Sequence, residues 1–394
     1  MIPAAQMPRI SQITPARFHH VDLCKQLSAR GLLASYFTAY PKSKLRDSDL
    51  PMDKVRSFPF VWPLYVQRLR MGHKDDKLTR WLKNLAESTL SQFASTFISQ
   101  SDAVVAMSCS GLEAGRAIKR SGGIWICDRG SAHIRFQDDI LREEHKTWGL
   151  PYTPIDPVTM AREMAEYEEC HQIVVPSQFA LDSFVQQGVP ASKVTRVPYG
   201  VNLQDFYPGE RVDDNVFRVL FVGGLTVQKG IQYLIPAVAR LRGNVELIML
   251  GDEASLDKGV IEGMDMSRVT FVGRQPKAVV REWMQRSSVL VLPSVQDGFG
   301  LVLAEAMACG CPVIGTTNTG FRDVAVDGEH GFLVPPRHVE ALAAAIQTLV
   351  DDRALRDRMA AASVERVKSL GGWDEYGNAI VELVKSQLVS QVLG

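Results

Sequence analysis

The sequence predicts two doubly wound α/β domains, each a parallel sheet covered by helices on both faces, with a cleft between them. Three observations predict this. Apolar runs of strand length alternate with helix-length amphipathic stretches along most of the chain, the pattern of a parallel sheet with crossover helices. The alternation breaks once, at residues 201–215 (GVNLQDFYPGERVDDN, read from Gly200), a polar stretch holding Pro and Gly with no periodicity. At 394 residues the chain is long enough for two separate cores. Domains are therefore expected at residues 1–205 and 206–372, with 373–394 forming a last helix that crosses back to the first domain.

In the first half, strands are expected at residues 9–14, 32–38, 103–107, 123–128, 172–176 and 194–198, because each is a short apolar run bounded by turn residues. Helices are expected at 20–30, which Gly31 ends, and at 78–99, 158–171 and 179–187. In the second half, strands are expected at 217–222, 245–250, 269–272, 289–292 and 312–315. The helices between and after them fall at 230–241, 277–286, 301–309, 340–350, 353–368 and 373–392. The break before the last of these is Gly371-Gly372.

Composition is that of an ordinary globular chain, 46% apolar with zero net charge. No run of eighteen uncharged apolar residues occurs, so no membrane span is expected. The first twenty residues lack a basic segment followed by a sustained apolar run, so no signal peptide is expected. Six cysteines are scattered without paired CxxC spacing, which argues against a zinc site and for a reducing, cytoplasmic setting. The neutral total hides an asymmetry: residues 1–120 carry 18 Lys and Arg against 9 Asp and Glu. A basic front portion suits a phosphate-rich substrate or an anionic membrane surface. Its richest segment, residues 67–83 (QRLRMGHKDDKLTRWLK), follows the aromatic run FPFVWPLYV. It reads either as a solvated helix face or as a peripheral contact with the inner membrane face. No nucleic-acid partner is expected.

The most informative stretch is residues 293–312, PSVQDGFGLVLAEAMACGCP. Strand, glycine turn and helix N-terminus together form an anion site, because free backbone N–H groups and the helix dipole both favour negative charge. Gly298 and Gly300 let the backbone approach a phosphate closely. Glu305 is the one carboxylate in an otherwise apolar helix, and burying it demands a partner. Asp297 lies eight positions earlier; a helical rise over that interval is roughly 12 Å, about the span of a bound sugar nucleotide. A second glycine turn, Gly223-Gly224 in FRVLFVGGLTVQKG, leads to Lys229, a point charge suited to a diphosphate.

The ordered series FVGGLTVQKGIQYL, MLGDEAS, VTFVGRQP, LPSVQDGFGLVLAEAMACGCPVIGTTNTG and VDGEHGFLVPP resembles the donor-binding half of the family 4 (group 1) retaining glycosyltransferases. The resemblance covers roughly residues 197–349, and its N-terminal continuation is less specific. It implies the GT-B fold: two facing Rossmann-like domains with a nucleotide sugar, UDP- or GDP-linked, in the cleft. It implies that Glu305 accepts hydrogen bonds from the donor ribose. Asp297 and the backbone of Gly298, Phe299 and Gly300, with Leu301 opening the helix, would hold the transferred sugar and the diphosphate. Lys229 would neutralise that diphosphate, Gly223 and Gly224 would cradle it, and Gly273 and Arg274 would frame the base. His133 would lean on the donor sugar near the reacting carbon; as a bare residue it reads equally as a loop-capping or acceptor-contact group. His133, Lys229 and Asp297 are thus the catalytic candidates.

Three departures from the family pattern stand out. Gly224 occupies a position that is commonly arginine, and Asp297 replaces the usual glutamate. Pro15-Ala16-Arg17-Phe18-His19-His20 stands where paired glycines are usual, so Arg17, His19 or His20 is expected to replace backbone contacts. The chemistry implied is hexose transfer to a glycan or lipid-linked acceptor with retention, by same-face attack in which the leaving phosphate serves as base. It needs no metal and no cofactor, and it suits bacterial surface polysaccharide or glycoconjugate synthesis. The triplet Asp47-Ser48-Asp49 reads as a turn, not a metal clamp. Competing readings are a catalytically weak nucleotide-sugar-binding accessory protein, a dinucleotide oxidoreductase and a sugar-nucleotide epimerase. GGLTVQKG is not GxGxxG, which disfavours the oxidoreductase.

Overall fold

The computed structural model describes residues 7–73, 76–210, 214–256 and 258–393. Its strands are β1 (Ile10–Thr14), β2 (Leu33–Thr38), β3 (Val55–Ser57), β4 (Ala103–Met107), β5 (Ile124–Asp128), β6 (Gln172–Val175), β7 (Val194–Arg196), β8 (Phe217–Val222), β9 (Val245–Leu250), β10 (Val269–Phe271), β11 (Val289–Leu292), β12 (Val313–Thr316) and β13 (Gly331–Val334). The helices of the first half are α1 (His20–Ala29), α2 (Trp62–Arg70), α3 (Lys77–Ser95), α4 (Leu112–Arg120), α5 (Ile134–Thr147), α6 (Pro157–Glu169) and α7 (Gln178–Gln186). Those of the second are α8 (Ile231–Ala239), α9 (Lys258–Ile261), α10 (Lys277–Arg286), α11 (Leu301–Ala308), α12 (Phe321–Val324), α13 (Val339–Asp351), α14 (Arg353–Leu370) and α15 (Trp373–Leu393).

The strands form two sheets, ordered β3-β2-β1-β4-β5-β6-β7 and β10-β9-β8-β11-β12-β13. Neighbouring strands are parallel throughout. In each sheet the order reverses beside the first strand, β1 next to β4 and β8 next to β11. At such a switch point the loops after adjacent strands part and leave a crevice at the carboxyl edge. Both sheets are buried on both faces, which is why their strands read as unbroken apolar runs such as VLVL and FRVLFV.

Several elements went beyond the sequence expectation. β3 and β13 are short and only partly buried, so neither carries a strong apolar run. Helix α4 hides its identity behind Gly115, whose added Cβ would stand 2.1 Å from the Trp125 ring, so only glycine lets that helix reach the sheet. Helix α5 is mostly polar and buries only Ile134, Asp138 and Glu144, so it shows no apolar stripe. The 67–83 segment belongs to two helices, the end of α2 and the start of α3. In the aromatic run before it, Phe58 and Trp62 pack on the first-domain core, whereas Phe60 is 71% exposed.

The boundary expected at residue 205 lies earlier. Val201 and Phe206 are buried in the second-domain core with Leu220, Met307 and Phe321, so the crossing comes before Val201. Helix α15 returns to the first domain. Its Tyr376, Ile380, Val381 and Val384 are buried with Val21, Leu27 and Ile126, and Arg30 on α1 bonds Asn378 at 2.7 Å. This helix completes a core that the first 200 residues leave open. Ile380→Ala should therefore cost about 2–5 kcal/mol, read as a lower denaturant midpoint of the first domain; an unchanged midpoint would contradict that role.

Candidate functional site

The two glycine loops of the second domain meet. Gly230, at φ +75°, begins α8, and a Cβ there would lie 2.0 Å from the Pro293 carbonyl oxygen, so the loop after β8 rests directly on the loop after β11. Val295 N–H donates to the Gln228 carbonyl at 2.9 Å, and the Gln228 side chain donates to Gln296 Oε1 at 2.9 Å. This registration brings Lys229 Nζ to 2.5 Å from Asp297 Oδ2. Gly300, at φ +78°, caps α11, a conformation that an L side chain resists.

Lys229, Asp297, Phe299, Gly300, Leu301 and Glu305 all line one cavity of about 350 Å³. Val222 and Leu292 contribute its apolar floor, and Gly130 and Tyr199 close it from the side of the first domain. The Glu305 carboxylate makes no hydrogen bond or ion pair to any other described residue. Burial pushes its pKa up to about 7, opposed by the Lys277 ammonium and reinforced by Asp205. Lys277 is itself held by Asp205 at 2.8 Å, so it does not neutralise Glu305 directly. A half-buried carboxylate left without a partner is a hydrogen-bond acceptor waiting for donors.

A second cavity of about 290 Å³ adjoins the first at Val222. It is lined by Gly223, Gly224, Gly251, Asp252, Arg274 and Val280. An added Cβ at Gly224 would meet only Thr226 Cγ2 at 3.7 Å, so the place of the family arginine is open space. Gly273, at φ +78°, makes the turn that presents Arg274. The Asp47–Asp49 triplet falls in a single 3₁₀ turn that ends with Asp49 in the left-handed region.

One expected residue is elsewhere. His133 is fully buried and does not reach the cavity. It is the N-cap of α5: its Nδ1 accepts from Arg135 N–H at 3.2 Å, and its ring packs between Tyr167 and Phe184. Burial, with the charges of Arg129 and Arg135, lowers its pKa to about 4, so it stays neutral. The physical reason is that α5 begins at Ile134, which turns the preceding side chain inward to cap the helix. The capping alternative describes it, and the expected contact with the donor sugar is corrected.

Gly130 and Tyr199 line the cavity from the first domain, with His19 behind them. The His19 and Tyr199 rings lie 4.4 Å apart, and His19 Nε2 is 2.8 Å from Asp128 Oδ2. Asp128 ends β5, where a parallel sheet presents ligand contacts. The signal was legible in that strand end, but the burial of GIWICD masked it as plain core. Across the crevice, Gln296 donates to Ser131 Oγ at 2.8 Å and Ser177 Oγ donates to the Gly298 carbonyl at 2.6 Å.

The geometry defines a class: two facing Rossmann-like domains of GT-B architecture with an anion cradle and an acceptor carboxylate in the cleft. Residues 216–352 match the family described as "Glycosyl transferases group 1". The chain is 30% identical over 248 residues to a D-inositol 3-phosphate glycosyltransferase of Pseudarthrobacter chlorophenolicus, covering 57% of this chain and 59% of that one. It is also 30% identical over 172 residues to a glycogen synthase of Mycobacterium tuberculosis, covering 42% of each. The chain spans 59% and 52% of the length of two such curated relatives, little more than half. Among solved structures, a sucrose-phosphate synthase from Thermosynechococcus elongatus superposes with TM-score 0.71 at 21% identity, covering 97% of this chain and all of that one. The Anabaena protein HepE in complex with UDP and glucose gives TM-score 0.68 at 18% identity, covering 96% and 100%. The second domain thus resembles the group 1 glycosyltransferases, and the whole chain shares the fold of these solved structures.

Gly298 measures how tightly the crevice is drawn. A Cβ there would stand 2.1 Å from the Gly130 carbonyl oxygen of the facing domain. Gly298→Ala should hold the domains apart, which small-angle scattering would read as a larger radius of gyration. An unchanged radius would show that the loop yields.

Proposed function

We propose that this protein transfers a hexose from a nucleotide-diphosphate sugar, UDP- or GDP-linked, to a glycan or lipid-linked acceptor with retention of configuration. The setting would be bacterial surface polysaccharide or glycoconjugate synthesis. The observation that carries this reading is the unpartnered Glu305 carboxylate sharing one cavity with the Lys229–Asp297 pair. The ribose hydroxyls would donate to Glu305. The diphosphate would draw Lys229 from Asp297 and rest on the opening of α11, while Asp297, freed of its cation, would accept from sugar hydroxyls. The base would lie in the adjoining cavity beside Arg274.

Breaking the glycosyl phosphate bond puts negative charge on the departing diphosphate and oxocarbenium character on the sugar. Fixed positive groups at the phosphate address the larger electrostatic demand without reorganising during the reaction. Lys229 and the α11 N-terminus supply these groups, so the reading calls for no metal. The open space at Gly224 favours a second reading, an accessory protein that binds nucleotide sugar with little turnover. A thermal-shift screen with UDP, GDP, ADP and dTDP and their sugars should single out one base, because a ligand that binds only the native state raises its stability. Hydrolysis of that donor separates the two readings: slow turnover supports the transferase, and binding without turnover on any acceptor panel supports the accessory protein.

Glu305 sets a pH signature. A carboxyl raised to about 7 holds its proton longer in the folded chain than in the unfolded one. The ligand-free fold therefore gains from this group below the ordinary carboxyl range and loses that gain as pH rises through about 7. Ribose binding favours the ionised form, so nucleotide affinity should weaken as pH falls below about 7. Glu305→Gln should lower affinity about 10- to 100-fold, as expected for charged hydrogen bonds of about 1.5–3 kcal/mol. It should also flatten the pH dependence in calorimetric titrations; equal affinity in the variant would sink the role.

No helix among the described residues is long and apolar enough to cross a membrane. Peripheral contact through residues 67–83 is part of the same proposal. Around this segment Phe60, Leu64, Met71, Leu78 and Trp81 are all exposed, Trp81 by 57%. Exposed Arg70 and Lys77 lie among them, and apolar groups ringed by cations suit an anionic surface. The protein should co-sediment with phosphatidylglycerol vesicles, and Leu78→Asp with Trp81→Asp should cut binding at least about tenfold, since each buried apolar side chain contributes about 1.5–3 kcal/mol. Equal sedimentation of the double variant would refute the contact.

A further inference from the structure

Beside Tyr199, in the first domain, two imidazoles converge on one buried carboxylate. β1 and β5 run parallel on either side of β4, so their carboxyl ends open on one edge. The loop after β1 ends in His19, α1 starts at His20, and β5 ends in Asp128. His19 Nε2 lies 2.8 Å and His20 Nε2 lies 3.3 Å from the same oxygen, Asp128 Oδ2. One donor atom from each of the three residues falls within 4.8 Å of the other two. His19 precedes α1 without capping it, so its side chain is not spent on the helix end.

The cluster is short of partners and of positive charge. His20 is fully buried with neither ring nitrogen hydrogen-bonded, and Asp128, 1% exposed, keeps Oδ1 without a hydrogen bond. The Tyr376 hydroxyl donates to Oδ2 at 3.1 Å. Among the described residues, the ion-pair partners of Asp128 are these two imidazoles, with no Lys or Arg in reach. A buried carboxylate with no permanent cation and a buried imidazole with no hydrogen bond both raise the free energy of the fold. A divalent ion relieves both at once, because it supplies positive charge to the carboxylate and a partner to one nitrogen of each ring. The Tyr199 ring lies 4.4 Å from that of His19, and its hydroxyl is a further buried oxygen without a partner.

We propose that His19, His20 and Asp128 bind a divalent transition-metal ion, zinc by the chemistry of its donors, which pins the start of α1 to the end of β5. Two imidazoles and a carboxylate suit zinc, whereas magnesium and calcium take oxygen ligands. Zinc ligands at about 2.0–2.2 Å in a tetrahedral array stand roughly 3.3 Å apart. His20 Nε2 and Asp128 Oδ2 already have that spacing. A carboxylate only accepts, so the neutral His19 ring carries its proton on Nε2; with the ion at Nε2 that proton moves to Nδ1 and the ring stays neutral. The six cysteines, all free and buried, are no part of this set. The site is independent of sugar transfer, in which the diphosphate charge would fall to Lys229 and the opening of α11.

The test uses the full chain, stripped with EDTA, dialysed free of chelator and titrated with zinc chloride alone. One zinc ion should bind per chain by calorimetry and elemental analysis. Zinc at a hundred times Kd should raise the melting temperature by roughly 5–10 °C, and magnesium chloride should give no shift. His19→Gln and Asp128→Asn, each close in size to the native residue, should lose both the bound ion and the shift. His73→Ala, at an exposed histidine outside the cluster, should keep both. Where either variant folds poorly, the cobalt(II) form of the unaltered protein decides. Visible absorption of four-coordinate cobalt without a thiolate charge-transfer band supports the site; a thiolate band places the ion on cysteine and overturns it. No stoichiometric zinc on the unaltered protein, or equal zinc on both variants, would likewise overturn the proposal.

Discussion

One buried carboxylate gathers the densest polar contacts between the two halves of this protein. Glu144 on α5 is fully buried, and its oxygens accept from Gln232 at 2.9 Å, Tyr233 at 2.6 Å and Arg337 at 2.5 Å, all in the second domain. Arg337 also reaches Glu143 at 2.8 Å, and Trp148 donates to the Tyr233 hydroxyl. Breaking such a buried pair from one side costs about 3–5 kcal/mol, because the remaining charge is left without solvent. A second seam, Asp323 with Arg196 and the Gln178 N–H, closes the other part of the interface. Between these seams lies the crevice, where Gln296 and Gly298 meet Ser131 and Ser177 of the first domain.

Within that crevice, charge is arranged so that little is left over. Lys229 and Asp297 satisfy each other. Glu305, eight residues on, has no such partner and carries the cost of burial as a raised pKa. The contrast gives the cavity polarity: one end holds an ion pair and the other an unpaired carboxylate. Glycines at 130, 230 and 298 let three loops approach at distances that no Cβ would permit.

The first domain contributes an oriented imidazole, and it depends on the last helix to do so. Tyr376 fills the core beneath β5 while its hydroxyl holds Asp128, so the segment that returns from the second domain both seals a hydrophobic cluster and anchors the polar group at its rim. Linking packing and polar geometry in one helix ties the crevice wall to the integrity of the first-domain core.

The chain by itself determined the two parallel sheets, the extents of β8, β9, β11 and α10, and the meeting of Gly223–Lys229 with Asp297–Glu305. These follow from local causes: apolar runs of strand length, helical periodicity, and glycine turns before helix N-termini. Tertiary structure alone decided which first-domain residue faces the cleft. His133 lies in the same turn as Gly130, yet the start of α5 one residue later rotates it into the core, a matter of a single residue's phase that no motif spacing reveals. The pairing of His19 with Asp128, 109 positions apart, likewise exists only because β1 and β5 flank one strand and end on one edge. Patterns with a short period are written locally, whereas contacts between distant polar residues are set by how whole sheets and helices pack.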